Sequence, residues 1–156
     1  MNSTGDALKE HCNNMLSLCP TDGNVLYTIG KMQDNIQMVQ EAHRLDPTNK
    51  DVLLYLGDYY EKQSLYEKAK RYYSELVLLY GSGLHYYKMA VITKLTGNFI
   101  ESYTLAKKSY EIEKSLNACE LLLEISKDLN LPEQEKWEQL IQHKDENNAQ
   151  LPILGE

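Results

Sequence analysis

The chain has 156 residues, of which 42% are hydrophobic and 25% charged, and its formal net charge is −7. This length allows one domain with a modest continuous core, and the composition is ordinary for a globular protein. Because an acidic protein repels phosphate groups at long range, we expect no nucleic acid partner. No apolar run approaches the roughly 18 residues that a membrane helix needs, and the first residues lack a signal-peptide pattern. We therefore expect no direct membrane insertion and a cytoplasmic location, with the nucleus as the alternative.

The first predicted element is an amphipathic helix over residues 5–19. Leu8, Cys12, Met15 and Leu16 fall on one face at helical spacing. Pro20 then ends the helix, because proline cannot continue the backbone hydrogen-bond ladder.

Two segments beginning near Pro20 and Pro47 share one pattern. Each has proline, a large apolar residue six positions later, and an aliphatic residue followed by glycine. The first copy ends at Ile29-Gly30 and the second at Leu56-Gly57. Such internal repetition predicts stacked units that cannot bury their apolar faces alone.

The predicted repeats cover about residues 23–49, 50–82 and 83–115. In the third repeat, Gly97-Asn98-Phe99 is the predicted turn, and its second helix carries three small residues, Ser102, Ala106 and Ser109. A degenerate helix pair follows at 116–143, and its second helix is predicted to begin at Pro132. Residues 144–156 are predicted to be a flexible acidic and apolar tail.

Residues 50–83 resemble the tetratricopeptide repeat (TPR), whose signature of about 34 residues runs W-x-x-L-G-x-x-Y, then A-x-x-x-F, then P. The matching positions are Leu53, Leu56, Gly57, Tyr60, Ala69, Tyr73 and Leu76, with Gly81 where proline usually falls. The resemblance extends over roughly residues 5–115. It implies an all-α, right-handed α-solenoid of stacked antiparallel helix pairs, with about eight helices. It also implies small residues that let helix backbones approach closely, as at Gly57 and Ala69.

The first repeat departs from the family pattern in length. Gly30 and Gly57 are 27 residues apart, seven fewer than the family spacing. Losing about one turn from each helix would keep the inward face unchanged, since a turn is about 3.6 residues. The alternative is a loop that replaces part of one helix; we favour the shortened pair.

The helix over residues 5–19 occupies the place of a second helix whose first helix is missing. Two interpretations stay open. The helix is a small amphipathic cap, or this end of the solenoid is open to another chain. Contact residues for an open end would be Leu8, Met15 and Leu18.

In the family, the first helices of successive repeats line a concave surface that binds peptides or helices. The resemblance places nine candidate partner-binding residues there: Tyr27, Lys31, Tyr55, Asp58, Glu61, Tyr87, Lys88, Val91 and Lys94. The alternative is that tyrosines such as Tyr55, Tyr59 and Tyr87 only cover the edges of the core.

Chaperone-binding members of the family hold a C-terminal carboxylate with Lys, Asn, Asn, Lys and Arg. The corresponding positions here are Tyr27, Lys31, Tyr55, Leu84 and Lys88. Both asparagines and the arginine are absent, so we expect no carboxylate clamp of that type.

No motif for chemistry stands out. Cys12, Cys19 and Cys119 are an odd, scattered set, which suits reduced, buried thiols. His11 and Cys12 lack the second close ligand pair that structural zinc usually needs. We therefore predict no catalytic residue, no metal and no cofactor.

The tail contains an apolar tetrad, Leu151-Pro152-Ile153-Leu154, after a polar stretch. It is either a frayed terminus or a short motif that folds back on the solenoid or docks on a partner.

The sequence therefore predicts a non-catalytic scaffold for protein–protein interaction, with peptide or helix segments as partners and another helical-repeat chain as a further candidate. One hypothesis is a fixed TPR subunit of a larger multiprotein assembly, which the irregular repeats favour. The alternative is a free-standing adaptor or co-chaperone-like module that binds an extended peptide or helix. A third hypothesis, a small enzyme, lacks convergent polar residues.

Overall fold

A computed structural model describes the backbone of residues 3–149 and the side chains of residues 4–145. All regular structure within 3–149 is helical and forms nine helices, where the sequence predicted about eight. Their bounds are α1 Ser3–Leu18, α2 Gly23–Met32, α3 Ile36–Leu45, α4 Lys50–Lys62, α5 Tyr66–Leu79, α6 Gly83–Leu95, α7 Phe99–Ile112, α8 Leu116–Asp128 and α9 Gln134–Ala149. None of these helices is both long enough and apolar enough to cross a membrane.

The helices stack in chain order. Every extensive contact between helices joins two elements that are adjacent in sequence, with the largest contacts inside the pairs α2–α3, α4–α5 and α6–α7. This is the quasi-one-dimensional packing of a repeat protein. The predicted fold class, an all-α solenoid of stacked antiparallel helix pairs, is confirmed.

Side-chain caps set the start of most helices. The cap oxygens accept hydrogen bonds from N–H groups of the first helical turn, which have no partner inside the helix. The capping residues are Asp22 for α2, Asn35 for α3, Asn49 for α4, Ser82 for α6, Asn98 for α7 and Ser115 for α8.

The same turn joins the two helices of every pair. In each turn one residue has a positive φ, and the next residue's N–H donates to the carbonyl five positions earlier, at 2.8–3.1 Å. The positive-φ residues are Asp34, Ser64, Gly97 and Asn130, with φ values of 50°, 58°, 86° and 52°. The fourth pair has lost the sequence signature but keeps this turn, so it belongs to the same structural series.

The first pair is shortened in both of its helices, which is the alternative that the sequence favoured. The helices α2 and α3 have 10 residues each, whereas α4 has 13 and α5 has 14. Three residues are therefore missing from the first helix and four from the second. Each loss is about one turn, so the inward faces stay in phase with the next pair.

Small residues allow close packing, although not always against the expected neighbour. A Cβ atom on Gly30 would lie 2.9 Å from Met38 Cβ and 3.1 Å from the Asn35 carbonyl oxygen, so α3 runs very close to α2. At Gly57 the nearest atoms belong to the ring of Tyr73. Gly57 thus makes room for an aromatic ring, and the expectation that backbones meet there beside Ala69 is corrected, because the ring occupies that space.

The third pair is tied together by two buried serines. Ser102 Oγ donates to the Ala90 carbonyl at 2.7 Å, and Ser109 Oγ donates to the Gly83 carbonyl at 2.8 Å. These bonds link α7 to the backbone of α6 at two points about two helical turns apart. The predicted small residues of α7 therefore allow α6 to approach closely, and two of them, Ser102 and Ser109, also form hydrogen bonds with it.

Two apolar clusters form the core. The larger one fills the space between α2 and α6 and includes all the large signature residues of the second repeat. The smaller one joins α6 to α9 and centres on Trp137, which is 2% exposed. The Trp137 ring contacts Tyr110 edge-on at a centroid distance of 5.5 Å, and this contact fixes α9 on the stack.

The structure changes three sequence expectations at the ends and among the cysteines. Helix α9 begins at Gln134 rather than Pro132 and continues to Ala149, so residues 144–149 of the predicted tail are helical. The Lys144 ammonium holds this end in place by donating to the Lys114 carbonyl. The apolar tetrad Leu151–Leu154 lies outside the described residues. Cys12 and Cys119 are buried as expected, but Cys19 is exposed because it follows the last residue of α1.

Candidate protein-binding surface

The first helices of the pairs, α2, α4, α6 and α8, lie side by side and carry all nine predicted partner-binding residues. The rings of Tyr27 and Tyr55 join α2 to α4, and Lys88 joins α6 to Asp58 of α4. An ion pair between Lys94 and Glu124 joins α6 to α8. We call this face the first-helix surface; the role of its residues in binding a partner stays a prediction.

The N-terminal part of the first-helix surface is aromatic and cationic. The rings of Tyr27 and Tyr55 meet edge-on at a centroid distance of 6.0 Å, and Lys31 Nζ lies 5.1 Å above the Tyr27 ring. Both tyrosines are half-buried and pack on the larger core cluster. Burial, together with the nearby Asp34 carboxylate, raises the pKa of Tyr55. These rings cover the core edge and still present an exposed side.

The central part holds a polar cluster formed by Tyr73, Asp58, Glu61 and Lys88. The Tyr73 hydroxyl lies 2.7 Å from Asp58 Oδ1 and 2.5 Å from Glu61 Oε2, and Lys88 Nζ lies 2.8 Å from the same Asp58 oxygen. The Tyr73 hydroxyl has one hydrogen and can donate it fully to only one of the two carboxylates. The positive charge of Lys88 compensates part of the negative charge of the pair. Burial and then the two carboxylates raise the pKa of Tyr73, which keeps its proton.

Three of the predicted partner-binding residues already have contacts within this polar cluster. Asp58, Glu61 and Lys88 are already engaged with each other or with Tyr73, so a partner would have to share or displace these bonds. The sequence placed Tyr73 only in the core and missed its hydroxyl group. The sequence does contain one indication of this contact: Asp58 and Glu61 are three residues apart and therefore lie on one face of α4, where they can share a hydrogen-bond donor.

The C-terminal part contains a groove between α6 and α8 of about 270 Å³. Tyr87, Val91 and Lys94 line its α6 side as predicted positions of the first-helix surface. Sequence reasoning missed the other lining residues, which are Leu95, Asn117, Glu120, Leu121 and Glu124. Those on α8 share one helical face by their spacing, but this pair lacks the repeat signature that identified the other positions.

The end formed by α1 has exposed apolar side chains. Leu8 is 49% exposed, Met15 37% and Leu18 79%, although Cys12 on the same helix is buried. Helix α1 packs mainly against α2, through the smallest of the extensive helix contacts. The predicted open-end residues are therefore accessible in this chain.

A cavity of about 520 Å³ lies beside the exposed Leu8, between α1 and the end of α2. It arises from a difference in length, because α1 has 16 residues and α2 only 10. At about 1.5 Å per residue, the six additional residues extend α1 about 9 Å past α2. Met32, which is 50% exposed, forms the opposite wall.

Among the described residues, no group of three or more His, Cys, Asp or Glu side chains is placed to hold a metal ion. Burial raises the pKa of Cys119, which disfavours the reactive thiolate there. The absence of catalysis and of a cofactor stays a prediction.

Comparison with known proteins supports the fold. No protein-family model matches the sequence, and no curated protein is similar enough in sequence to count as a relative. One solved structure, described as the crystal structure of MamA, superposes with a TM-score of 0.81 at 18% identity, covering 88% of this chain and 86% of that one.

The fold is shared with MamA. A second crystal structure of the MamA protein also has a TM-score of 0.81, at 17% identity, and covers 99% of this chain and 92% of its own. At these identities the likeness to MamA establishes the architecture and says nothing about a shared ligand.

Proposed function

We propose that this chain is a tetratricopeptide-type scaffold without catalytic activity, and that it is a fixed subunit of a larger protein assembly. The proposal rests on helix α1, whose apolar side chains Leu8, Met15 and Leu18 are exposed, and on the cavity of about 520 Å³ that Leu8 lines. Scattered single apolar residues need no explanation, but several along one helix indicate a contact surface.

The position of α1 supports a protein partner. A helix at the end of a solenoid normally has a polar outer face that closes the stack. Here Met15 and Leu18 give that helix an apolar surface, and a neighbouring helix from another chain would bury it. Each fully buried aliphatic side chain would contribute about 1.5–3 kcal/mol of favourable transfer free energy.

The alternative is a free-standing adaptor that binds an extended peptide or helix on the first-helix surface. The groove between α6 and α8 favours it, because this groove is formed within the chain alone and needs no other subunit. A fixed subunit should elute from size-exclusion chromatography of cell extracts only at the size of the assembly. An adaptor should also appear as the free chain. In either case a cytoplasmic or nuclear location is part of the proposal.

The decisive experiment compares Met15→Glu with Asn14→Glu, which adds the same charge at an exposed polar position of the same helix. The full chain and both variants are tagged, purified from the source cells and analysed by quantitative mass spectrometry. We expect Met15→Glu to lose the co-purifying proteins and Asn14→Glu to retain them, with both variants equally helical by circular dichroism. Equal partner recovery from the two folded variants would contradict the proposal.

A further inference from the structure

The groove between α6 and α8 combines an apolar floor with a charged rim. Val91 and Tyr87 from α6 and Leu121 from α8 form the floor; Leu121 belongs to the smaller core cluster, and the other two pack against it. The rim carries Lys94 from α6 and two carboxylates from α8. A floor of this kind fits one apolar side chain, while the rim selects for the charge of its neighbours.

The charges on the rim do not balance. Lys94 of α6 pairs with Glu124 of α8, and the Lys94 side chain is only 18% exposed, so its charge is already compensated within the groove. Glu120 is exposed and, within residues 4–145, its side chain has neither an ion pair nor a hydrogen bond. The groove therefore presents one uncompensated negative charge beside an apolar floor.

The other carboxylates of the first-helix surface are differently placed. Asp58 and Glu61 both contact the Tyr73 hydroxyl, and Lys88 compensates Asp58. These groups already have partners, whereas Glu120 has capacity for one more. A net charge of −7 on the whole chain also draws cationic segments toward the protein at long range.

The geometry points to a protein segment that places an apolar side chain on the floor at Val91 and a lysine or arginine against Glu120. This inference rests on the proposed scaffold function and names the chemistry of one of its binding partners: a basic and apolar segment, not an acidic one. Basic residues suit this site because an ammonium or guanidinium group supplies the positive charge that the rim lacks.

A library of short random peptides displayed on phage tests the inference with the purified full chain as bait. Selected peptides are then measured by fluorescence anisotropy against the wild type, Glu120→Gln and Glu120→Lys. Glu10→Lys is the control, since it reverses an exposed charge on α1, far along the chain from the groove. Circular dichroism unfolding verifies that all variants are equally folded.

We expect selected peptides to carry an apolar residue close to a lysine or arginine. Glu120→Gln should weaken their binding by about two- to fivefold, and charge reversal by about tenfold, as for partly exposed ion pairs. Replacing the basic residue of the peptide by glutamate should restore binding to Glu120→Lys, while Glu10→Lys should bind the original peptides as the wild type does.

Three results would overturn the inference: no enriched peptide, enriched peptides without a basic residue, or equal binding by Glu120→Lys and Glu10→Lys. None of them bears on the scaffold function, which is tested separately by the loss of partners in Met15→Glu. Conversely, an unchanged partner set in Met15→Glu leaves the charge-swap result standing.

Discussion

The ring of Tyr73 fills the space directly over Gly57, so closely that a Cβ atom on residue 57 would lie 2.4 Å from Tyr73 Cε1. Both residues are signature positions of the second repeat, one on α4 and one on α5. The ring is fully buried, yet its hydroxyl reaches Asp58 and Glu61 on the first-helix surface. One side chain thus links the interior of the repeat to the face where a partner is expected.

Gly57→Ala should destabilise the fold by about 1–3 kcal/mol, the usual cost of overpacking a core. The flat ring of Tyr73 cannot give way, because it is enclosed on its other sides. Gly23→Ala is the matched control, since its Cβ would meet only ordinary contacts, at 3.5 Å from the Ala42 carbonyl oxygen. Urea denaturation of both variants should show a lower midpoint for Gly57→Ala alone; an unchanged midpoint would mean that the ring is not held where the structure places it.

Tyr73→Phe should lower the free energy of unfolding by about 1.5–3 kcal/mol, the range for a hydrogen bond to a charged group. The substitution leaves Asp58 and Glu61 facing each other without the phenolic proton between them. Tyr72→Phe is the control, because no hydrogen bond of the Tyr72 hydroxyl is seen among the described residues. Equal stability of the two variants, measured by chemical denaturation, would exclude a structural role for the polar cluster.

Ser102→Ala should cost about 0.5–1.5 kcal/mol by removing the buried bond to the Ala90 carbonyl. Ser74→Ala should have a smaller effect, because this serine is exposed, donates to the Lys70 carbonyl of its own helix and reaches α6 only through a weak contact of 3.7 Å with Met89 Sδ. The comparison is made by thermal unfolding followed by circular dichroism. A larger loss in Ser74→Ala would show that α7 is not held to α6 through this serine.

The stability of the protein should fall in mild acid because of His85. Its side chain is 4% exposed, and no described residue forms a hydrogen bond with Nδ1; burial, with a smaller effect of Lys50, lowers its pKa. The unfolded chain, with a histidine pKa of about 6.5, then binds a proton more readily than the folded one. The contribution of His85 is therefore fully present above about pH 6.5 and is lost as the pH falls from there toward the lower folded pKa.

His85→Leu should flatten this part of the pH dependence, because leucine has no proton to bind and no unpartnered nitrogen to bury. The free energy of unfolding is measured for both proteins across about pH 5–8, the range in which histidine titrates. If the two curves remain parallel throughout this range, His85 does not carry the effect.

Much of the fold follows from periodicity and residue size. The signature residues Leu53, Leu56 and Ala69 are fully buried because the same stacking problem recurs at each repeat. The seven-residue deletion also predicts a shortened first pair. Each helix can lose a whole turn without rotating its buried face, and seven residues are about two turns.

The within-pair turns could not be identified in the same way. The left-handed conformation that glycine favours is adopted here by three polar residues, Asp34, Ser64 and Asn130. Only in the third pair does a glycine, Gly97, indicate this conformation in the sequence. The backbone hydrogen bond across the turn stabilises this conformation. Because every residue except proline has the same backbone groups, such a bond does not require one residue type.

The candidate site was only half predictable. Residues of α6 such as Tyr87 and Val91 could be placed by their spacing from the signature, but Glu120 and Leu121 lie on a helix without it. The partners of Asp58 and Glu61 depend on the side-chain direction of Tyr73, which repeats do not determine. Sequence spacing thus gives the face of a helix, whereas packing decides which groups on it remain free.

Hydrogen–deuterium exchange of the chain alone and within its purified assembly shows whether a partner covers α1, because it reports which backbone amides a partner protects. We expect slower exchange across α1, Ser3–Leu18, in the assembly, beyond any change in the outer helices α5 and α7. Exchange in α1 that is equally fast in the free and assembled protein would contradict this expectation.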